Sequence, residues 1–162
     1  MSQNYLNRYL PLFHNKRKYL YWYLTGIVDG EGSFSVSFKR HPNLKSGWLV
    51  DPVFQVYQHK KHREVLELLK EVFQTGSIYQ KSDTHPVMVY GIHSLKTIKE
   101  KIIPFFTKYR LIIKQKDFLI FKEIVERMDR KEHLTKEGLK KIHQLALKMN
   151  QQGKGRKYLA IE

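Results

Sequence analysis

Leu24-Thr25-Gly26-Ile27-Val28-Asp29-Gly30-Glu31-Gly32-Ser33 reads as the end of a helix that runs into two carboxylates and then a strand. Leu20, Leu24, Ile27 and Val28 recur at helical spacing and predict an apolar face over residues 18–30. Gly26 and Gly30 stand four residues apart and share a face on which two helices can approach backbone to backbone. Asp29 and Glu31 follow at the C-terminal end, where the helix dipole disfavours negative charge by roughly 0.3–1 kcal/mol. A compensating cation is expected, and a divalent ion with oxygen ligands suits two carboxylates.

Outward from this stretch, Phe34, Val36 and Phe38 alternate with Ser33, Ser35, Ser37 and Lys39, the pattern of a strand with one buried face. HPNLKSGW (41–48) is turn-rich, and 51–59 reads as a second strand. Residues 61–73 read as a helix burying Val65, Leu68, Leu69 and Val72, with Gly76 ending the unit. Strands are expected at about 77–81 and 87–92, split by SDTHP, and then a short helix at 94–103 stopping before Pro104. Two longer helices follow at about 114–130 and 135–150, with stripes Phe118, Phe121, Val125, Met128 and Leu139, Ile142, Leu145, Met149. The order is that of an α+β fold. Residues 1–17 read as an N-terminal extension, 18–152 as the domain and 153–162 as a basic tail.

The chain has 162 residues, with 30 Lys and Arg against 15 Asp and Glu, a net charge of +15. That excess on a chain 41% hydrophobic and 13% aromatic favours a folded protein with a polyanionic partner. Cysteine is absent, which removes disulfides and thiolate zinc sites and is compatible with a reducing compartment. The N-terminus lacks the pattern of a signal peptide, and no run of about 18 apolar residues predicts a membrane span. The expected setting is intracellular, in a reducing compartment.

Residues 24–32 resemble the nine-residue motif of the LAGLIDADG homing endonucleases. Thr25, Gly30 and Glu31 depart mildly from its usual residues. FQVYQHKK (54–61) and PFFTKYRLIIKQKDF (104–118) are similar to two further segments of that family, in the right order. The single motif is similar to the homodimeric branch. The resemblance implies an αββαββα core, with a curved antiparallel four-stranded sheet lying along double-stranded DNA. It also implies a homodimer meeting through Leu24, Gly26, Ile27 and Gly30.

What the resemblance implies for the site is specific. Glu31 and the Gly30 carbonyl would bind Mg²⁺, with Mn²⁺ or Ca²⁺ replacing it for binding. Gln58 would order water, Lys114 would stand near the active centre, and the family's nearby arginine falls on His62 or Arg63. Asp29 is expected to cap structure. On the sheet, Ser33, Ser35, Ser37, Lys39, Arg40, Gln55, Tyr57, Ser77, Tyr79 and Lys81 are expected to meet DNA, because short polar, amide and cationic side chains suit base edges. Asp29-x-Glu31-x-Ser33 fails the calcium-loop pattern at Phe34 and Arg40. His59-x-x-His62 lacks further metal ligands. Intron RNA is an alternative or additional partner, as for a splicing maturase, and a DNA-binding regulator that has lost cleavage is another.

Overall fold

The computed structural model describes residues 4–150; the expected basic tail, with Lys154, Arg156 and Lys157, lies outside the described residues. Helix α1 (Tyr5–Tyr9) and a 3-10 turn precede α2 (Arg17–Glu31), followed by β1 (Gly32–Arg40), β2 (Trp48–His59) and α3 (Arg63–Phe73). Then come β3 (Ser77–Ser82), β4 (His85–Ile92), α4 (Leu95–Thr97), a π-helical turn (Ile98–Ile102), α5 (Ile103–Lys108), α6 (Gln115–Asp129) and α7 (Lys136–Leu147). The strands form one antiparallel sheet in the order β1-β2-β4-β3. Among the described residues no helix is long and apolar enough to cross a membrane.

Strand alternation divides the sheet into two faces. Phe34, Val36, Phe54, Val56, Tyr90 and Ile92 point to the helices and are buried. Phe34 lies 5.4–5.6 Å, centroid to centroid, from Phe54, Phe106, Phe118 and Phe121. Each such buried side chain contributes about 1.5–3 kcal/mol, so the Phe34 cluster fixes α5 and α6 on the sheet. Residues 5–13 dock on the same body. The N–H groups of Tyr5 and Leu6 donate to the Glu71 carboxylate, and Tyr5, Leu6, Tyr9, Leu10 and Phe13 pack against the core.

Four expectations are corrected. Leu24 is fully buried with Leu20 and Val28, so it holds α2 on the sheet and is no part of a helix–helix surface. Helix α3 turns Leu66, Leu68, Leu69 and Phe73 inward and leaves Val65 and Val72 half-buried. Helix does not stop before Pro104. The preceding turn widens, Ile103 N–H donates to the Ile98 carbonyl five residues back, and Pro104 falls in the first turn of α5, where no N–H is required. The SDTHP turn shrinks to two residues, because Ser82 pairs with His85 and the Gln80 amide braces the loop at the Asp83 and His85 carbonyls.

Candidate active site

The end of α2 is locked by the segment before α6. The Asp29 carboxylate, only 8% exposed, accepts backbone N–H groups from Ile112, Ile113 and Lys114 at 2.8–3.0 Å. The Lys114 ammonium donates to the Asp29 carbonyl at 2.5 Å and the Gly30 carbonyl at 3.0 Å. The cation expected at this helix end is therefore supplied by the chain itself, and Asp29 needs no metal. Asp29 does not cap its own helix; it holds the chain that enters α6.

Burial alone would raise the Asp29 carboxyl, but the N–H groups of Ile113, Lys114 and Ile112, with the Lys114 charge, outweigh it and hold it below its ordinary value. A depressed carboxyl stabilises the fold above the unfolded value, about 3.9, and that contribution is lost as pH falls through the folded value. Asp29→Asn is expected to cost about 1–3 kcal/mol at neutral pH, from weaker hydrogen bonds to the three N–H groups. That corresponds to a melting temperature lower by about 2–4 °C per kcal/mol. The difference between wild type and variant should begin to shrink as pH falls through about 4 and be lost only below the depressed folded value; thermal melts across pH check this.

Glu31 is placed otherwise. Its side chain is exposed and, among the described residues, has no hydrogen-bond or ion-pair partner. The chain leaves the helix immediately after it. A Cβ at Gly32 would sit 2.5 Å from the Val28 carbonyl oxygen, so only glycine lets β1 start there. Gly32 pairs with Val56, and β2 runs two residues further to Gln58. The half-buried Gln58 thus stands beside the α2–β1 junction, on the helix-bearing face with Phe54 and Val56. Glu31, Lys114 and Gln58, far apart in sequence, converge on this junction.

His62 and Arg63 are not brought into the same contact set. Arg63 pairs with Glu67 at 2.8 Å along α3. His62 lines a groove of about 290 Å³ with Tyr9, Leu12, Phe13, Tyr23, Val65 and Leu68. No hydrogen bond or ion pair among the described residues joins either to Glu31, Gln58 or Lys114.

The other sheet face gathers most of the expected reading residues. Ser33, Ser35, Ser37 and Lys39 lie along β1, with Gln55 and Tyr57 on β2 and Ser77, Tyr79 and Lys81 on β3. Gln55 donates to Tyr79 at 2.7 Å and accepts from Tyr57 at 2.8 Å, and the Lys81 ammonium lies 5.8 Å from the centre of the Tyr57 ring. Arg40 is the exception. It shares the parity of Phe34, Val36 and Phe38, and its guanidinium stacks 5.4 Å over Trp48 on the opposite side.

A further surface runs along α2. A Cβ at Gly26 or Gly30 would meet nothing within 4 Å. Tyr19, Trp22 and Tyr23, one and two turns earlier, are 42%, 51% and 43% exposed. The sequence reading passed over these three aromatics, although their spacing of three, four and seven residues before Gly26 places them on its face. Ile112 and Ile113, 88% and 77% exposed, flank the C-terminal end of the helix.

The fold and site define a class: a basic α+β chain with one polar sheet face and an unpartnered glutamate at a helix end that a lysine braces through the backbone. The chain belongs to the LAGLIDADG endonuclease family, whose signature matches residues 24–125. The "Probable intron-encoded endonuclease 2" of Neurospora crassa is 36% identical over 121 residues, which cover 74% of this chain and 27% of that protein. The chain thus spans about a quarter of that curated relative. The crystal structure of a homing endonuclease, I-TnaI, is 38% identical with TM-score 0.75, covering 81% of this chain and 88% of that one. The LAGLIDADG homing endonuclease I-SmaMI bound to cleaved DNA is 41% identical with TM-score 0.77, covering 81% and 44%. I-SmaMI has also been solved on uncleaved DNA in the presence of calcium ions.

Proposed function

We propose that two copies of this chain form a homing-type endonuclease that cuts both strands of a long pseudo-palindromic DNA site by divalent-metal-dependent hydrolysis. The observation that carries the reading is the exposed, unpartnered Glu31, next in sequence to the Gly30 carbonyl that the Lys114 ammonium holds, at the end of a helix whose outer face is glycine and exposed aromatic. One chain offers little to hold a metal alone: among the described residues no three His, Cys, Asp or Glu side chains cluster for it. A second copy meeting this one along Gly26 and Gly30 would add a second Glu31. These oxygen donors fit Mg²⁺, which takes one or two carboxylates and waters. Bound there, the ion would supply positive charge at the phosphate and a water more easily deprotonated.

Hydrolysis joins a water oxygen to phosphorus, breaks one phosphorus–oxygen bond and leaves a proton on the departing oxygen. Little covalent chemistry is asked of the protein. Lys114, held by the Asp29 and Gly30 carbonyls, would place a fixed positive charge by the reacting phosphate. The Gln58 amide would hold a water at the junction. The sheet would position DNA by phosphate contacts and select it by base contacts. The +15 excess suits that surface.

The test is cleavage of a plasmid library carrying randomised inserts, in Mg²⁺. Recovery of one long, roughly two-fold symmetric sequence is expected; indiscriminate cutting, or none, contradicts the proposal. Binding should also be strongly salt-dependent. If the dimer neutralises about 8 phosphates, log K falls against log salt with slope about −7. A flat titration would show that the basic excess is not a DNA surface.

A further inference from the structure

Of the ten residues expected to meet DNA, three share hydrogen bonds. Gln55 Nε2 donates to the Tyr79 hydroxyl, and the Tyr57 hydroxyl donates to Gln55 Oε1. Tyr79 reaches Gln55 from β3 across the whole width of β4. It passes over Gly91, which faces Gln55 on one side and Ser77 on the other. A Cβ on Gly91 would lie 3.2 Å from the Tyr79 hydroxyl and 3.3 Å from its ring, and 3.1 Å from His93 Nε2. Contacts that close force the neighbour to shift. The missing side chain at Gly91 is the gap through which the bridge closes.

We infer that Tyr57, Gln55 and Tyr79 read DNA as one hydrogen-bonded unit, and that Gly91, by letting Tyr79 cross β4, is a specificity-determining residue. The inference rests on the DNA-binding reading above. It changes what each side chain can recognise. A glutamine reads adenine through its oxygen and one N–H together. Here one lone pair of the oxygen is engaged by Tyr57 and one N–H by Tyr79, so Gln55 meets a base with its remaining N–H and the second lone pair, in an orientation fixed by the two tyrosines. Tyr57 has committed its only proton to Gln55 and can meet a base only as an acceptor, which selects the exocyclic amine of adenine or cytosine. Tyr79 accepts from Gln55 and keeps its proton to donate, which selects guanine N7 or O6, adenine N7 or thymine O4. Both hydroxyls bond the same amide, so they face the same or neighbouring base pairs. The amide orientation sets the polarity of both tyrosines, and disturbing one changes what the other accepts.

The experiment selects preferred sequences from a pool of randomised duplexes with wild type, Tyr57→Phe, Tyr79→Phe, Gly91→Ala and the Tyr57→Phe/Tyr79→Phe pair. Tyr79→Phe is expected to change base preference under Tyr57 as well as under Tyr79. Gly91→Ala should reproduce that pattern with the fold's melting temperature and the salt slope of binding intact. The double variant should lose less affinity than the product of the single losses, by about three- to tenfold. Multiplicative losses with preference changes confined to each residue's own base pair would overturn the inference while leaving DNA binding standing. So would unaltered preference in Gly91→Ala. If wild type selects no duplex at all, the DNA-binding reading falls and this inference with it.

Discussion

Changing Glu31 to glutamine is expected to slow strand scission by about a hundred- to a thousandfold or more while duplex binding persists. The substitution preserves shape and removes charge from the one carboxylate at the α2–β1 junction that the protein leaves uncommitted. Asp29 is engaged by three N–H groups and cannot substitute for it. In the proposed function affinity comes from the sheet and the basic residues, so a gel shift should persist and even strengthen without metal, because a carboxylate would no longer face phosphate. Paired gel-shift and cleavage assays, with and without Mg²⁺, measure both. A Glu31→Gln protein that cuts near the wild-type rate would remove Glu31 from the chemistry.

The second large effect is expected at Gly26. A Cβ there meets nothing within 4 Å, so a side chain can leave the helix at this position without a clash at its first atom. The isolated helix should gain, since leucine is the better helix former by somewhat under ~1 kcal/mol. In a dimer meeting along this face, the same side chain would hold the two backbones apart. Gly26→Leu should therefore melt no lower than wild type, sediment as a monomer and lose double-strand cutting. A stable variant that remains a dimer and still cuts would show that the copies meet elsewhere.

How much the sequence reveals depends on the range of the interaction. The α2 helix and the alternation in β1 follow from local periodicity, and both are read correctly. So is the placement of Gln55, Tyr57, Tyr79 and Lys81 on the face away from Phe54, because parity is a local property. Arg40 shows where that reasoning must be carried to the strand's end: one residue past Lys39, its side chain turns to the other side and stacks on Trp48. Leu24 shows the complementary error, since a motif residue near two glycines that face open space is taken for interface although its own spacing from Leu20 and Val28 marks it as core. Pro104 misleads because the π-turn that accommodates it has no sequence pattern of its own. The lock on Asp29 spans 83 to 85 residues, and the Gln55–Tyr79 bond spans 24. Neither follows from spacing, yet together they decide which acid is available and which side chains on the open sheet face are hydrogen-bonded to one another.

The central claim is that each cutting centre needs Glu31 from two copies. Mixing tests it most directly: wild-type and Glu31→Gln chains are unfolded together, refolded in equal amounts and assayed on circular plasmid for every strand cut, nicks as well as double-strand breaks. If each centre is shared across a two-fold pair, mixed dimers cut neither strand, and total scission should fall to about a quarter of an all-wild-type sample without nicked product. If each chain works with its own Glu31, mixed dimers nick one strand and total scission falls only to about one half, which would contradict the account.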